Sequence, residues 1–281
     1  MPDFGVSHLL STVPDFLFAA TLATAGLHGS ALSEIAADGP VLPRDGAVFE
    51  RAYLSADVPY ETRGDKRSQR IEAKEHTLSD DVNTAGRTLW YAFSVYVDPS
   101  TVLPRRDAGA HTAKLSVAQF HQRDAEDRSD KPALMFYLAP DGDLLAHFEQ
   151  AVGKRAYTLV DGGQAGDAAK GQWIDVVVGA KWGWQSAWTE FWVRTGDEAE
   201  YSLAARDLGP NTSTGQIYFK YGLYRSFLER DPGLGETDAL AYYDAVRRGD
   251  RFDAVRLPPL PVTRHQAQAV TGSDRRVPEL N

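Results

Sequence analysis

Between residues 48 and 247 apolar and polar residues alternate in short runs broken by Gly, Pro, Asp and Asn, a period-two pattern that predicts strands with one buried and one open face. Twelve strands are predicted, over residues 48–55, 69–76, 88–97, 113–121, 133–139, 144–150, 156–160, 172–180, 189–194, 200–204, 216–224 and 239–247. The last is ambiguous, because Ala239-Leu-Ala-Tyr-Tyr-Asp-Ala-Val246 also suits a helix; it is read as a strand. So many short strands with few helical stretches predict an all-β fold, a sandwich or barrel.

The most informative run is Gln216-Ile-Tyr-Phe-Lys-Tyr-Gly-Leu-Tyr-Arg225. In a strand, Tyr218, Lys220, Gly222 and Tyr224 share one face, and Phe219, Tyr221 and Leu223 share the other. The first face can do chemistry and the second can pack. Gly222 leaves space there for a bound polymer to approach the backbone. An aromatic-rich structural strand with a snorkelling lysine has the same pattern. Two further runs repeat the arrangement: Gln119, His121 and Arg123 fall on one face of 118–123, and Arg70, Glu72 and Lys74 on one face of 69–74. A solvated face laced with ion pairs explains Lys74 more readily than Arg70 or Glu72.

Composition narrows the class. At 281 residues, with 43% hydrophobic and 25% charged residues, the chain suits one large domain. It has no cysteine, so disulfides and thiolate metal sites are excluded. A net charge of -9 argues against nucleic acid as a partner, though not against a locally basic cleft. No segment has the roughly 18–20 apolar residues of a membrane span. Residues 9–25 are apolar, but Pro14 and Asp15 interrupt them and no Lys or Arg precedes Arg44, so residues 1–43 read as an atypical leader or a helical appendage. The Pro-containing tail, 257–281, reads as a surface-hugging or disordered end. Of three tryptophans in Lys181-Trp-Gly-Trp-Gln-Ser-Ala-Trp188, at least one is expected outside the core. Asp124-Ala-Glu-Asp127 and Asp141-Gly-Asp143 could bind structural calcium but read as solvated turns; no catalytic metal or other cofactor is expected. Asn211-Thr-Ser213 has the form of a glycosylation acceptor.

Taken in order, Arg70-Ile-Glu72, Gln119-Phe-His121 and Tyr218-Phe-Lys-Tyr-Gly-Leu-Tyr224 resemble the three signature strands of jelly-roll polysaccharide lyases. The resemblance is greater to the branch with heparin lyase I and glucuronan lyase than to alginate lyases. Those usually carry a second arginine where Lys74 stands and continue into Asn-Gln where this chain has Arg225-Ser226. Residues 171–178 and 242–247 resemble framework strands of the same fold, so the likeness spans about residues 45–255. It implies a two-sheet jelly-roll sandwich over 44–256, with the three motif strands side by side in one sheet. It also implies β-elimination of a uronic-acid polymer by a monomeric enzyme acting outside the cell or in the periplasm.

In that reading Gln119 and Arg70 neutralise the substrate carboxylate as charge develops, and His121 and Tyr224 are the proton-transfer pair. Arg67, Glu72, Lys74, Arg123, Tyr218 and Lys220 are the implied substrate-binding residues. Tyr224 could be both base and acid, or His121 the base and Tyr224 the acid. Two rivals stand beside it. A glycoside hydrolase would need two carboxylates roughly 5–9.5 Å apart across the bond, whereas a non-catalytic carbohydrate-binding module would have no use for His121 with Tyr224.

Overall fold

The structure, a computed structural model, describes residues 18–20, 31–36, 41–75, 86–105, 112–123, 131–148, 154–163, 169–212 and 216–259. It is a jelly-roll sandwich of two antiparallel sheets. In spatial order the first sheet runs β1 (Phe18–Ala20), β5 (Lys66–Glu75), β14 (Gln216–Ser226), β7 (Lys114–Arg123), β8 (Pro132–Leu138), β9 (Leu144–Phe148) and β10 (Arg155–Val160). A short strand, β4 (Glu61–Arg63), folds back on β5. The second sheet runs β13 (Ser202–Leu208), β12 (Trp188–Thr195), β11 (Trp173–Lys181), β6 (Thr88–Val97), β15 (Ala239–Gly249), β3 (Val48–Leu54) and β2 (Ala31–Ala36). Two single helical turns, α1 (Pro232–Gly235) and α2 (Phe252–Val255), flank β15.

All twelve predicted strands are present, and residues 239–247 are strand. The expectation of a helical N-terminal appendage is corrected. Its described parts are β1, which pairs with β5, and β2, which pairs with β3, so they extend both sheets. The 257–281 tail from residue 260 and the Asp124–Asp127 run lie outside the described residues.

Alternation explains how the sheets close on each other. Phe219, Tyr221 and Leu223 of β14 and Phe120 of β7 are buried against Tyr91 and Phe93 of β6. Most of these rings meet at angles: Tyr91–Phe120 centroids lie 4.9 Å apart at 78°, and Phe93–Phe219 5.5 Å apart at 36°, while Phe219 and Tyr221 are stacked at 6.2 Å and 23°. Burying one such side chain contributes roughly 1.5–3 kcal/mol, so this aromatic layer fixes which face of β14 and β7 turns outward.

Three local devices depart from simple alternation. Val117 has no partner in β8, and Gly222 and Leu223 face it from β14, a bulge that turns Ser116 and Lys114 outward while Val117 and Leu115 stay in the core. Gly222, at φ +124°, is needed for a different reason from the one its position suggests. A Cβ there would lie 2.3 Å from the Ile71 carbonyl oxygen and 2.8 Å from the Glu72 Cα, so the space belongs to β5 and not to a ligand. Asn211 is buried; its amide donates to the Lys181 carbonyl at 3.1 Å and the Trp188 carbonyl at 3.2 Å, and its oxygen accepts from the Gly183 N–H at 2.9 Å. That amide closes the tryptophan loop, so the Asn211 side chain is committed inside the fold although the tripeptide has the form of a glycosylation acceptor. Within the loop Trp182 is fully buried and Trp184 is 57% exposed.

Candidate active site

The three motif strands are neighbours in the order β5, β14, β7, in register across the sheet. Arg70 faces Tyr224 and Lys74 faces Lys220 across β5–β14; Tyr218 faces His121 and Lys220 faces Gln119 across β14–β7. Because the aromatic layer claims the inner face, Arg70, Glu72, Gln119, His121, Lys220 and Tyr224 all turn outward.

Glu72 organises this face. Although it is a carboxylate it is only 6% exposed, and it accepts hydrogen bonds from the Gln119 amide and the Lys220 ammonium. Arg70 stands 3.5 Å away. A buried charge needs such partners, and these fix Gln119 and Lys220 in place. Arg70 also holds Glu61 of β4 with a 2.9 Å hydrogen bond from Nε and a 2.6 Å contact from Nη2, while its guanidinium lies 4.4 Å from the centre of the Tyr224 ring. Burial works against the Arg70 charge, but Glu72, Tyr224 and Glu61 outweigh it and hold the guanidinium above its ordinary value.

His121 and Tyr224 are tuned in opposite directions. Burial lowers the His121 pKa; the Gln122 carbonyl pulls it back up, and Lys220 pushes it down again. The imidazole is therefore neutral at neutral pH. Its Nδ1 lies 3.2 Å from the Gln122 carbonyl, which can only accept, so Nδ1 carries the proton and Nε2 keeps the lone pair. Burial raises the Tyr224 pKa above 10, against the opposing pull of Arg70 and of a hydrogen bond with Ser68. The phenol is therefore protonated. One group of the pair can accept a proton and the other can give one.

Both line a cleft of about 880 Å³ together with Arg67, Arg70 and Gln119. Its walls carry the cations Arg63, Lys66, Arg67, Arg70, Lys114 and Lys131 against one carboxylate, Glu61, among the described residues, although the whole chain is acidic. Such focusing is set by local placement and not by net charge.

Of the sequence-derived site residues, Arg67, Arg70, Gln119, His121 and Tyr224 meet in the cleft wall. Glu72 and Lys220 lie beneath and beside it as an ion pair. Tyr218 stacks near His121, 5.4 Å between centroids, and is covered by Arg123 at 5.3 Å. Lys74 lies opposite Lys220, two residues beyond Glu72 and outside the cleft wall. Sequence reasoning missed Arg63 and Lys66, on the β4–β5 hairpin, and Lys114 and Lys131. The tract Arg63-Gly-Asp-Lys-Arg67 was a visible signal. Lys114 was not, because the Val117 bulge reverses the face that period two assigns it.

Asp141-Gly-Asp143 forms a turn in which Asp143 accepts the Gly162 N–H at 2.7 Å. Among the described residues no three His, Cys, Asp or Glu side chains cluster as a metal site would require. No described helix is long and apolar enough to cross a membrane.

An alginate lyase from Klebsiella pneumoniae superposes with a TM-score of 0.49 at 12% identity, covering 73% of this chain and 82% of that one. An alginate lyase, vAL-1, from Chlorella virus gives 0.45 at 10% identity over 80% of this chain and 90% of its own. A GH131 β-glucanase catalytic domain from Podospora anserina gives 0.43 at 13%, over 75% and 74%. Identities this low leave the residues of the site to be judged on their own geometry. Among curated proteins no sequence match is found. The sequence model of one family, polysaccharide lyase, matches residues 43–247, a stretch that holds the three motif strands and the whole cleft wall, and the chain belongs to that family.

Proposed function

We propose that this polysaccharide lyase cleaves a uronic-acid-containing polymer by β-elimination, with His121 as base and Tyr224 as acid. The observation that carries the reading is the pair itself: a neutral imidazole and a protonated phenol in the wall of one basic cleft, from adjacent strands. His121 Nε2 takes the proton from C5 of the uronate. The C5–H electron pair becomes the C4–C5 double bond, the C4–O bond breaks, and the leaving glycosidic oxygen receives the Tyr224 proton. Proton exchange with solvent then resets both groups. The C5 carbanion is tolerable only if the neighbouring carboxylate is neutralised, which is the role of Arg70 and of the Gln119 amide; donors of this kind contribute on the order of 3–4 kcal/mol to the barrier. Glu72 holds Gln119, Lys220 and Arg70 in position rather than binding a polyanion itself.

Hydrolysis is the weaker alternative. Glu61 is the one carboxylate in the described cleft wall and is engaged by Arg70, and Glu72 is buried with both oxygens occupied. Two carboxylates flanking a bond are needed for that chemistry. The test is to incubate the protein with glucuronan, heparin-type, alginate and bacterial exopolysaccharide substrates. An ultraviolet-absorbing unsaturated product supports the proposal; reducing ends without that absorbance mean hydrolysis, and binding alone means a binding module. A substrate outside the cell agrees with action in an extracellular or periplasmic space.

A further inference from the structure

Arg70 is the cation that the proposed reaction needs for a substrate carboxylate, yet in the structure it already holds one. Glu61 grips the Nε–Nη2 edge of the guanidinium with both oxygens, Oε1 at 2.9 Å from Nε and Oε2 at 2.6 Å from Nη2. Two parallel contacts of this kind are how arginine recognises any carboxylate, whether of a side chain or of a sugar acid. The rest of the group is engaged as well: Nη1 lies 3.5 Å from Glu72, and the guanidinium carbon stands 4.4 Å from the centre of the Tyr224 ring. Glu61 lines the cleft and Glu72 does not, so the edge that Glu61 fills is the one turned toward a bound polymer.

The charges lead to the same place. Arg70 and Lys220 face Glu61 and Glu72, two cations against two carboxylates, and the group is neutral as it stands. A uronate carboxylate added to it leaves one negative charge unmatched beside the carbon where elimination develops more. If Glu61 departs as the uronate arrives, the balance is kept. Glu61 is placed to depart and Glu72 is not. The Glu61 side chain is 49% exposed against 4% for Glu72, and it stands on β4, three exposed residues that pair with β5. A carboxylate leaving such a position for water loses little, whereas withdrawal of Glu72 would strand Lys220.

We propose that Glu61 is an internal competitor for the substrate carboxylate: it occupies Arg70 in the empty cleft and is displaced by the uronate at the reacting bond. It thereby sets specificity, because a neutral sugar offers Arg70 nothing in exchange for Glu61 and a uronate does. This rests on the polyuronate reading above, and the experiment separates the two. Wild type, Glu61→Gln and Asp65→Asn are compared on the polyuronate panel by ultraviolet absorbance, and binding of the same polymers is measured by titration calorimetry with each substitution placed in Tyr224→Phe protein. Asp65 is exposed on the same β4–β5 hairpin and lies outside the cleft wall, so its replacement removes an equal charge without emptying Arg70.

Glu61→Gln should lower KM about two- to fivefold, the worth of a half-exposed ion pair, and leave kcat within about twofold. Affinity in the Tyr224→Phe background should rise by the same factor, and Asp65→Asn should change both by less. An unchanged or raised KM, or a lowered kcat, would overturn the competition, since a carboxylate that merely positions Arg70 has that effect when lost. An equal gain from Asp65→Asn would overturn it too, by showing a general effect of charge. Tighter polymer binding by Glu61→Gln without any unsaturated product would instead sink the lyase chemistry and leave the competition standing. Failure of every polyuronate to bind either protein would overturn both.

Discussion

Replacing Glu72 by Gln tests whether the buried carboxylate is the organising charge of the site. The amide keeps the shape and one acceptor oxygen but removes the charge that faces Lys220, Arg70 and Gln119. Lys220, with its side chain 12% exposed, is left as a buried cation without its counter-ion. Breaking a buried pair from one side costs about 3–5 kcal/mol, and the isosteric amide should put the loss near about 3. In a domain of this size one kcal/mol moves the melting temperature by about 2–4 °C, so a fall of about 6–12 °C is expected in a thermal scan.

Chemistry should respond as well, in a direction that packing alone would not produce. The Glu72 charge raises the pKa of both His121 and Tyr224, so removing it lowers both, and the acid and alkaline limbs of the kcat/KM profile should move together to lower pH. The assay is a thermal melt and a pH profile on the same preparation. An unchanged melting temperature together with unmoved limbs would refute the role given to Glu72.

In the wild type kcat/KM should rise with pH through a value below 6.5, where His121 loses its proton and becomes a base, and fall only above 10, where Tyr224 ceases to be an acid. A rate still climbing at pH 10 would mean that Tyr224 is the base. Tyr221→Phe, on the inner face of the same strand, should leave turnover within about twofold but cost about 1–3 kcal/mol, because the Tyr221 hydroxyl bonds the half-buried Glu50; a melt shows the second and kinetics the first. Gly222→Ala should cost about 1–3 kcal/mol in backbone strain and a similar amount in overpacking against β5, and should lower turnover by displacing Tyr224 two residues on; a normal melt would contradict the close approach.

Much of this was legible in the chain because period-two alternation is a direct readout of which face is buried. Phe219, Tyr221 and Leu223 point in, Tyr218, Lys220 and Tyr224 point out, and the structure pairs them with Phe120 and His121 accordingly. The same rule turns Arg225 inward, where it is fully buried with Gln69 as a partner at 3.3 Å and its pKa is lowered by burial to about 10. What could not be read were features set by contacts between strands distant in sequence. Gly222 looked like space for a ligand because the approach of β5 is invisible from β14 alone. Lys114 was assigned no site role because a single extra residue, Val117, reverses the face of everything before it. Glu72 looked like a substrate contact because its partners Gln119 and Lys220 come from two other strands. In the N-terminal segment, composition favoured a helix, but β1 and β2 pair with exposed sheet edges, and edge pairing overrides propensity.

In the proposed reaction Tyr224 gives the proton that releases the leaving chain. That role is tested most directly by following ultraviolet absorbance for wild type and Tyr224→Phe on a polymer the wild type cleaves, with binding and melting measured alongside. The substitution removes one oxygen and leaves the ring beneath Arg70. Turnover should fall by about 10²–10⁴ while binding and the melting temperature stay close to wild type. Near-normal turnover by Tyr224→Phe would contradict that role and turn attention to Tyr218, which lies on the same strand as Tyr224 with its ring centre 5.4 Å from that of His121 on β7.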